Sequence, residues 1–387
     1  MRIIKHLFNL FFGKFISSLL KKKRILTVDN RFLGSFLNFM YYKLSLNKKD
    51  VIIIFEPNFF NKNKKKSYLQ YILFEHAYYD IRKKKLNIFY NYFLYIFFHR
   101  ILDRKYMNLF QFSWSQDIFN LFIKNDKIIF DPVIRNIQNK DTNFTKLKNN
   151  NFLLFSCRDN AYKEKNHGTK LNYHSYRNES LINYEKSFVS LKKQFNIVRF
   201  GSVVSEKIKD DGIFDYSFSE DRNEINDLWL MKNCYIYIGT GSGPDTLALN
   251  YQKPIVYINW IHPPNMFCFH SPINLIFKKI FDKKNNEYIP YKKLINKDIV
   301  GVSGKPLGLL STNKEYEDNQ LICEENSVDE IENAIKELDM FLRKKYIFNS
   351  NNQDYFRNFY RLYSNNPISS NFYISDYFIN KNKKLFI

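Results

Sequence analysis

Basic and acidic side chains follow the apolar runs in the second half of this sequence. Arg158 and Asp159 come shortly after one such run, and His174, Arg177 and Asn178 precede a helical pattern. Arginine binds phosphate oxygens through two parallel hydrogen bonds. An aspartate or histidine that lies beside a reacting hydroxyl can remove its proton. These residue types therefore predict a site for a phosphorylated ligand, with Asp159 as the first candidate for a general base and His174 as the second.

A glycine-rich loop lies between two further apolar runs, Cys234–Ile238 and Ile255–Ile258. The residues predicted to bind the ligand here are Gly239, Thr240, Gly241, Ser242, Gly243, Asp245 and Thr246. Such a loop leaves backbone N–H groups uncovered at a helix start, where the helix dipole and the unpaired donors attract an anion. Pro244 favours a helix that begins at this point. Because the glycines alternate, the loop matches neither a Walker loop nor the GxGxxG fingerprint.

Each of these residues also has a structural interpretation that the sequence leaves open. The glycines can serve only to let a helix and a strand pack closely. Arg158 and Asp159 can form a local ion pair that orders a loop, and His174 can cap a helix or pack against one. Asp245 can cap the helix that follows it.

Apolar runs alternate with helical patterns from residue 152 onward. The predicted strands are Phe152–Phe155, Ile197–Phe200, Cys234–Ile238 and Ile255–Ile258. Ser327 and Glu330 have the spacing of a capping box, which predicts the start of a helix. The alternation predicts an α/β fold with a doubly wound sheet, in which ligands bind outside the carboxyl ends of the strands.

The length of 387 residues is long for one domain and sufficient for two. Residues 1–24 form an amphipathic segment, and residues 25–145 predict a Rossmann-like domain because strand-like runs flank a helical pattern. Residues 150–345 predict a second such domain, joined through the Asn-, Lys- and Thr-rich linker 141–151. Residues 346–387 form a tail with enough aromatic residues to cross back to the N-terminal domain.

The N-terminal segment has apolar residues at helical spacing, followed by a basic cluster at residues 21–24. These apolar positions are Ile4, Leu7, Phe8, Phe11, Phe15 and Leu19. The segment is too charged for a membrane span and has no signal-peptide cleavage site. Two interpretations remain: an in-plane anchor on an anionic membrane surface, or a first helix that packs on its domain.

The formal net charge of +22 attracts nucleic acid, anionic lipid or phosphorylated substrates. The lysines lie in scattered short runs, and no RNA- or DNA-binding motif is present, which disfavours a nucleic-acid partner. The four cysteines lack the spacing of a zinc site and fit buried thiols in a reducing compartment. We therefore expect a cytoplasmic protein; with the N-terminal helix as an in-plane anchor, it would lie peripherally at the inner face of the plasma membrane.

Several segments, in order, resemble a sequence family of bacterial glycosyltransferases whose chemistry is not characterised. The similar segments are Cys157–Tyr162, Tyr173–Asn178, Val198–Gly201, Ile238–Thr246, Lys253–Asn259, Ile289–Lys293 and Glu325–Ile331. The resemblance covers residues 150–345, while the N-terminal third is similar only around residues 31–34.

The resemblance implies a GT-B-like arrangement, in which two Rossmann-type domains face each other across a cleft and the C-terminal domain holds the donor nucleotide. Since the two arginines and the loop donors can bind phosphates without a metal, we expect a glycosyltransferase that needs neither a metal nor a cofactor and moves a sugar from a nucleotide-sugar donor to a bacterial surface glycan. That acceptor would be a polysaccharide, a lipopolysaccharide or a lipid-linked glycan. Two alternatives stay open: a non-catalytic protein that binds nucleotide sugar or glycan, and a basic nucleic-acid-binding protein.

Overall fold

The structure is a computed structural model that divides the chain into two compact units. It describes residues 2–20, 24–28, 51–55, 88–102, 144, 147, 151–167, 172–264, 271–364 and 370–386. The first unit comprises Met1–Leu121 and Lys127–Gln138, and the second comprises Phe122–Asp126 and Asn139–Ile387. All of the predicted site residues belong to the second unit.

The first unit contains a parallel pair of strands. These are β1 (Arg24–Val28) and β2 (Val51–Phe55), with Arg24 opposite Val51 and Val28 opposite Phe55. Parallel strands need a crossover connection, as the sequence predicted from the helical pattern between them. That helical pattern and most of the predicted linker lie outside the described residues.

Two helices pack together in the first unit. The first helix, α1, spans Arg2–Leu20, and α2 spans Ile88–Ile96 and continues into a π-helical turn, Phe97–Ile101. The side-chain amide of Asn9 donates to the carbonyl oxygen of Ile101 at 2.7 Å. The first helix therefore packs within its own unit through one side. Among the described residues, no helix is long and apolar enough to span a bilayer.

The main sheet of the second unit has seven strands. They are β3 (Phe152–Phe155), β4 (Asn196–Arg199), β5 (Ile213–Asp215), β6 (Ile236–Gly239), β7 (Ile255–Trp260), β8 (Ile273–Phe277) and β12 (Phe372–Ile374). Three described strands, numbered β9 to β11, come between β8 and β12 in the chain and form a separate small sheet. The order in the main sheet is β12-β8-β7-β6-β3-β4-β5, and every pair is parallel. The central strands are buried on both faces, which explains their continuous apolar sequence. The predicted α/β fold with a parallel sheet is confirmed.

Nine described α-helices lie between or after the strands of the second unit. They are α3 (Ala161–His167), α4 (Leu181–Ser187), α5 (Glu224–Asn233), α6 (Asp245–Asn250), α7 (Tyr291–Ile295), α8 (Asn313–Asp318), α9 (Val328–Leu342), α10 (Ser350–Ser364) and α11 (Asp376–Lys381). The predicted capping box is present, because the Ser327 side chain bonds the backbone of Glu330 and the Glu330 side chain bonds the backbone of Ser327. On α9, Ile331, Ala334, Ile335 and Leu338 are buried along one stripe.

The C-terminal tail completes the second unit. Strand β12 pairs with β8 at the edge of the main sheet. Phe356 and Tyr360 of α10 are each 1% exposed, and the Tyr360 hydroxyl donates to the carbonyl oxygen of Pro264 at 3.0 Å. Phe356 and Tyr360 of the tail are thus buried within the second unit.

A small antiparallel sheet adjoins the main one. Its strands are β9 (Lys279–Asp282), β10 (Glu287–Tyr288) and β11 (Leu321–Glu324), in the order β10-β9-β11. Lys278 lies between β8 and β9, and Glu325 follows β11, so this sheet delivers two charged residues to the neighbourhood of the site.

Candidate functional site

The predicted residues lie where the strand order of the main sheet reverses. The chain runs outward from β3 to β4 and β5, then returns to β6 on the other side of β3. Ligands of open α/β sheets bind at such a point, outside the carboxyl ends of the strands. The loop after β3 carries Arg158 and Asp159, and residues 239–245, here called the glycine loop, follow β6. The topology therefore places both segments at the expected position.

Arg177 reaches the glycine loop from the 3-10 turn Asn172–Arg177. Its Nη2 donates a hydrogen bond to the carbonyl oxygen of Gly241. The backbone of Arg158 is hydrogen-bonded to Glu179, two residues after Arg177, and burial and the charge of Arg177 lower the pKa of Arg158 to about 10. The structure thus brings together the two arginines and the glycine loop that the sequence predicted to converge.

The arginine pair has unused hydrogen-bonding capacity. Within the described part of the chain, neither Arg158 nor Arg177 forms an ion pair with a carboxylate. Their Nε atoms are buried without a hydrogen-bond partner, as are Oγ1 of Thr240 and Oδ1 of Asn178. Buried polar groups without partners cost free energy, which a bound ligand can recover. The donors suit an anion, and the Asn178 oxygen suits a ligand hydroxyl.

Two positions of the glycine loop favour glycine, Gly241 for its backbone conformation and Gly239 for the close approach of neighbouring side chains. Gly241 has φ +79°, a conformation that favours glycine. A Cβ on Gly239 would lie 2.6 Å from Oδ1 of Asp245 and 2.6 Å from the ring of Tyr237. The close-packing interpretation of the glycines therefore holds at these two positions, and it is compatible with a ligand outside the loop.

Asp245 closes the glycine loop from inside. Its Oδ1 accepts hydrogen bonds from the hydroxyls of Tyr237 (2.8 Å) and Ser242 (3.2 Å), and its Oδ2 accepts one from the Ser242 N–H (2.7 Å). Asp245 is 4% exposed, and burial raises the pKa of its carboxyl to about 6, although the hydrogen bonds favour the ionised form. Asp245 thus organises the loop, and both donors of Ser242 are engaged by it.

The helix after the loop contributes less positive potential than the sequence suggested. It has six residues, and the backbone N–H groups of Asp245 and Thr246 donate to the carbonyl oxygens of Ser242 and Gly243. A short helix whose first N–H groups are used within the loop is a weak anion site. The positive charge at the sheet edge comes instead from Arg158 and Arg177. Thr246 itself is buried, at 3% exposure.

Asp159 anchors the loop that carries it. Its Oδ1 accepts from the Ala161 N–H at the start of α3 (3.0 Å), and its Oδ2 accepts from the N–H (2.7 Å) and the hydroxyl (2.8 Å) of Ser205. No ion pair joins Asp159 to Arg158 among the described residues, so the loop is ordered by hydrogen bonds and not by that pair. The role of Asp159 as a general base stays a prediction.

His174 belongs to a cluster of rings beside the arginines. Its ring centroid lies 4.0 Å from that of Tyr173 and 6.0 Å from that of Tyr176. The Tyr176 hydroxyl lies 3.3 Å from Nε2 of His262. Burial and the charge of Arg177 lower the pKa of His262 to about 3, so that this imidazole is neutral. The role of His174 as a general base also stays a prediction.

Four residues of this region were not singled out in the sequence: Glu179, Tyr237, Asn259 and Lys278. Asn259 and Lys278 each follow an apolar strand run, which is the same signal that identified Arg158. Asn259 has φ +53°. Its backbone N–H donates to Oδ1 of Asn326 (2.6 Å), and the backbone N–H of Asn326 donates to Oδ1 of Asn259 (2.7 Å). Tyr237 lies inside a strand, so no sequence signal distinguished it from core.

Metal-ligand clusters of three or more His, Cys, Asp or Glu residues are absent from the part of the chain that the structure describes. The prediction that no metal is required rests on the arginines and loop donors as phosphate-binding groups, and it stays a prediction.

The chain was compared with known proteins. No protein-family model and no curated protein matches it. Among solved structures, a co-structure of S. aureus MnaA with UDP is similar over 61% of this chain and 79% of that chain, with 11% sequence identity and a TM-score of 0.27. A similarity at this level carries no argument about fold or function, which therefore rest on the geometry described above.

Proposed function

We propose that the second unit binds a nucleoside diphosphate sugar and that the protein is a glycosyltransferase acting on a bacterial surface glycan. One observation carries the proposal: two adjacent arginines without carboxylate partners among the described residues lie at the reversal point of a parallel sheet, against a glycine loop. A diphosphate supplies the negative charge that this arrangement lacks. The sequence resemblance supports the choice of a sugar donor over other phosphorylated ligands.

In this proposal the arginines stabilise the leaving group. The bond between the sugar C1 and the donor diphosphate oxygen breaks, and a bond forms between C1 and an acceptor hydroxyl oxygen, whose proton passes to a base. Arg158 and Arg177 then face the negative charge that develops on the departing nucleoside diphosphate, a contribution of several kcal/mol in such sites. His174 becomes our first candidate for the base, because the Asp159 carboxylate is held by three hydrogen bonds.

A ligand screen tests this function. Thermal shifts are measured with UDP-, GDP-, CMP-, ADP- and dTDP-linked sugars, and hits are assayed for release of the nucleoside diphosphate with glycan acceptors. We expect one nucleotide class to raise the melting temperature and to support transfer. A lack of any stabilisation across the panel would contradict the proposal.

A second function, that of a non-catalytic nucleotide-sugar sensor, is supported by Asp159. Its carboxylate accepts three hydrogen bonds from the protein, which makes it less available as a catalytic base. In that case the screen shows binding to one nucleotide sugar, while neither transfer nor hydrolysis occurs with any acceptor. The same two measurements therefore separate the enzyme from the sensor.

Thr240→Val tests the buried hydroxyl without changing the side-chain shape. Because Oγ1 of Thr240 has no hydrogen-bond partner, we expect the free energy of unfolding to stay the same or to rise by up to about 1 kcal/mol. A lost hydrogen bond to the ligand weakens binding by about 0.5–1.5 kcal/mol, roughly 2- to 12-fold. Calorimetric titration and denaturant unfolding measure the two effects. Thr240→Ser is the control, and unchanged affinity in Thr240→Val would remove Thr240 from the site.

We propose further that α1 lies on an anionic membrane surface, where a lipid-linked acceptor would be found. Phe11, Phe15 and Leu19 form one stripe of this helix and are 71%, 64% and 65% exposed. Residues 1–28 contain no Asp or Glu, while Lys14 and the cluster at residues 21–24 are basic. An exposed apolar stripe with flanking cations suits an interfacial helix.

Vesicle binding measures this contact. The double variant Phe11→Ser/Phe15→Ser should bind vesicles containing phosphatidylglycerol at least about tenfold more weakly, because two aromatic side chains no longer enter the interface. Added salt should also weaken the wild-type contact, since the cations act through charge. Ile347→Ser is a matched control, because Ile347 is 88% exposed but lies in the second unit. Equal binding by all three proteins would exclude α1 as the contact.

A further inference from the structure

Glu179 contacts the backbone of Arg158 at two points. Its Oε2 accepts a hydrogen bond from the Arg158 N–H (3.1 Å), and its own N–H donates to the Arg158 carbonyl oxygen (3.0 Å). The Tyr184 hydroxyl donates to Oε2 (2.8 Å), and Nδ2 of Asn259 donates to Oε1 (3.1 Å). Because Glu179 follows Arg177 by two residues, it joins the loop that carries one arginine to the segment that carries the other.

Lys278 holds the segment that carries Arg177. It is 2% exposed, and its Nζ donates to the carbonyl oxygens of Tyr176 (3.1 Å) and Asn178 (2.9 Å). These two carbonyls flank Arg177 on either side. Since Lys278 directly follows β8, the backbone of Arg177 is attached to the end of the main sheet. Each arginine is thus supported by one charged residue that does not itself reach the glycine loop.

Glu179 and Lys278 have opposite charges when both are ionised. Burial raises the pKa of Glu179 to about 7, although the charge of Lys278 and the hydrogen bonds favour its ionised form. The other titratable groups that face Glu179 are the Cys157 thiol and the Tyr184 hydroxyl, whose pKa values burial raises well above their usual range. Both are therefore neutral near pH 7. Of these three groups, Glu179 is the one whose charge changes there.

We propose that Glu179 and Lys278 are positioning residues that hold Arg158 and Arg177 toward the glycine loop, and that the charge on Glu179 sets how strongly the arginine pair binds an anion. The identity of the natural anion rests on the proposed function. The contacts of Glu179 with Arg158, and of Lys278 with the residues on either side of Arg177, do not depend on it.

The sign of the pH effect follows from the charges. Below pH 7 Glu179 is neutral, and the arginines and Lys278 are opposed by fewer negative charges. Above pH 7 Glu179 is ionised behind Arg158, so the potential at the anion site falls and binding weakens. Asp245, whose carboxyl has its pKa raised to about 6, adds a separate step at lower pH. Removing the Glu179 charge should therefore abolish only the change in anion affinity near pH 7.

The experiment uses the full chain and two probes that do not titrate in the range. These are sulfate and UDP-glucose, and their dissociation constants are measured from about pH 5.5 to 8.5. The Arg177→Met variant defines the part of sulfate binding that occurs at this site. We expect wild-type affinity to fall roughly three- to tenfold across pH 7 and to be flat there in Glu179→Gln. Lys278→Met should weaken binding at every pH, and Lys278→Arg should restore part of it.

Glu325→Gln is the matched control. Glu325 also accepts hydrogen bonds from this region, from the Ser180 N–H and from Nδ2 of Asn183, but it contacts neither Arg158 nor Arg177 in the described residues. It should keep the wild-type pH profile. A step near pH 7 that persists in Glu179→Gln overturns the inference, as does sulfate binding that is unaffected by Arg177→Met. Sulfate binding with the expected profile, but no binding in the nucleotide-sugar panel, overturns the proposed function alone.

Discussion

Arg177→Met is expected to weaken binding of the nucleotide sugar by about 10- to 150-fold, because a charge-assisted hydrogen bond in a buried site contributes roughly 1.5–3 kcal/mol. Arg158→Met is expected to have an effect of similar size, and the double variant should show no saturable binding. The free protein should not be destabilised in the same way. Burial and the charge of Arg177 lower the pKa of Arg158 to about 10, so removing either arginine relieves repulsion in the empty site.

Two measurements check this expectation: calorimetric titration of the ligand, and thermal unfolding without it. Arg343→Met is a matched control, because Arg343 is paired with Asp339 at 2.7 Å and lies on α9's C-terminal cap. We expect it to leave affinity unchanged. If Arg158→Met and Arg177→Met bind the ligand as tightly as wild type, the arginine pair is not the diphosphate site.

Asp245→Ala is expected to lower the free energy of unfolding by about 3 kcal/mol, because it leaves the buried N–H and hydroxyl of Ser242 without their acceptor and leaves the Tyr237 hydroxyl with Oγ of Ser156 as its remaining partner. Asp245→Asn should cost less than half of that. Its oxygen can still accept from the Ser242 N–H, and both hydroxyls can rotate to accept from its NH₂ group. The comparison of the two variants measures how far the loop depends on an acceptor at this position.

The Asp245 variants also differ from wild type in pH dependence. The folded pKa of this carboxyl, about 6, lies above the ordinary aspartate value of 3.8, so the native state favours the protonated form. The wild-type protein should therefore lose stability as pH rises from about 4 to 6, with no further loss from this group above that range. Asp245→Asn should show a smaller decline, because the part caused by Glu179, whose carboxyl pKa is raised to about 7, remains in both proteins. A decline of equal size in Asp245→Asn would show that another group causes it.

Asp245→Asn further separates loop organisation from ligand contact. If Asp245 only closes the glycine loop, the variant should bind the nucleotide sugar at least as tightly as wild type, since it removes a negative charge near the phosphates. A large loss of affinity in a stable Asp245→Asn protein would instead indicate direct contact between this carboxylate and the ligand.

Local sequence signals predicted the second unit well. The strands β3, β4, β6 and β7 fall on short apolar runs because both faces of these strands are buried, and the capping box at Ser327 and Glu330 marks the start of α9. The positions of Arg158 and the glycine loop followed from the same signals, because parallel strands place their carboxyl ends at one edge. The small sheet β9–β11 was not predicted, since its strands are short and half-exposed.

These local sequence signals did not predict the hydrogen-bond partners of polar side chains. Asp159 was assigned as a base from its residue type and position, yet in the structure it accepts hydrogen bonds from Ser205 and from the start of α3. Lys278 bonds carbonyls about a hundred residues earlier in the chain. Periodicity reports which face of an element is buried, and it contains no information on which distant group a polar side chain meets.

The residue order alone was sufficient to predict a parallel α/β unit with Arg158 and the glycine loop at the carboxyl ends of its strands, whereas the strand order and its reversal point came from the structure. Those features depend on burial and on backbone preferences, which act over a few residues. Folding in three dimensions determined the use of each polar group: Asp245 turned inward to the loop, Asp159 became an anchor, and Glu179 and Lys278 came to support the arginines. A buried charge needs specific partners to offset its lost hydration, and those partners come from distant parts of the chain.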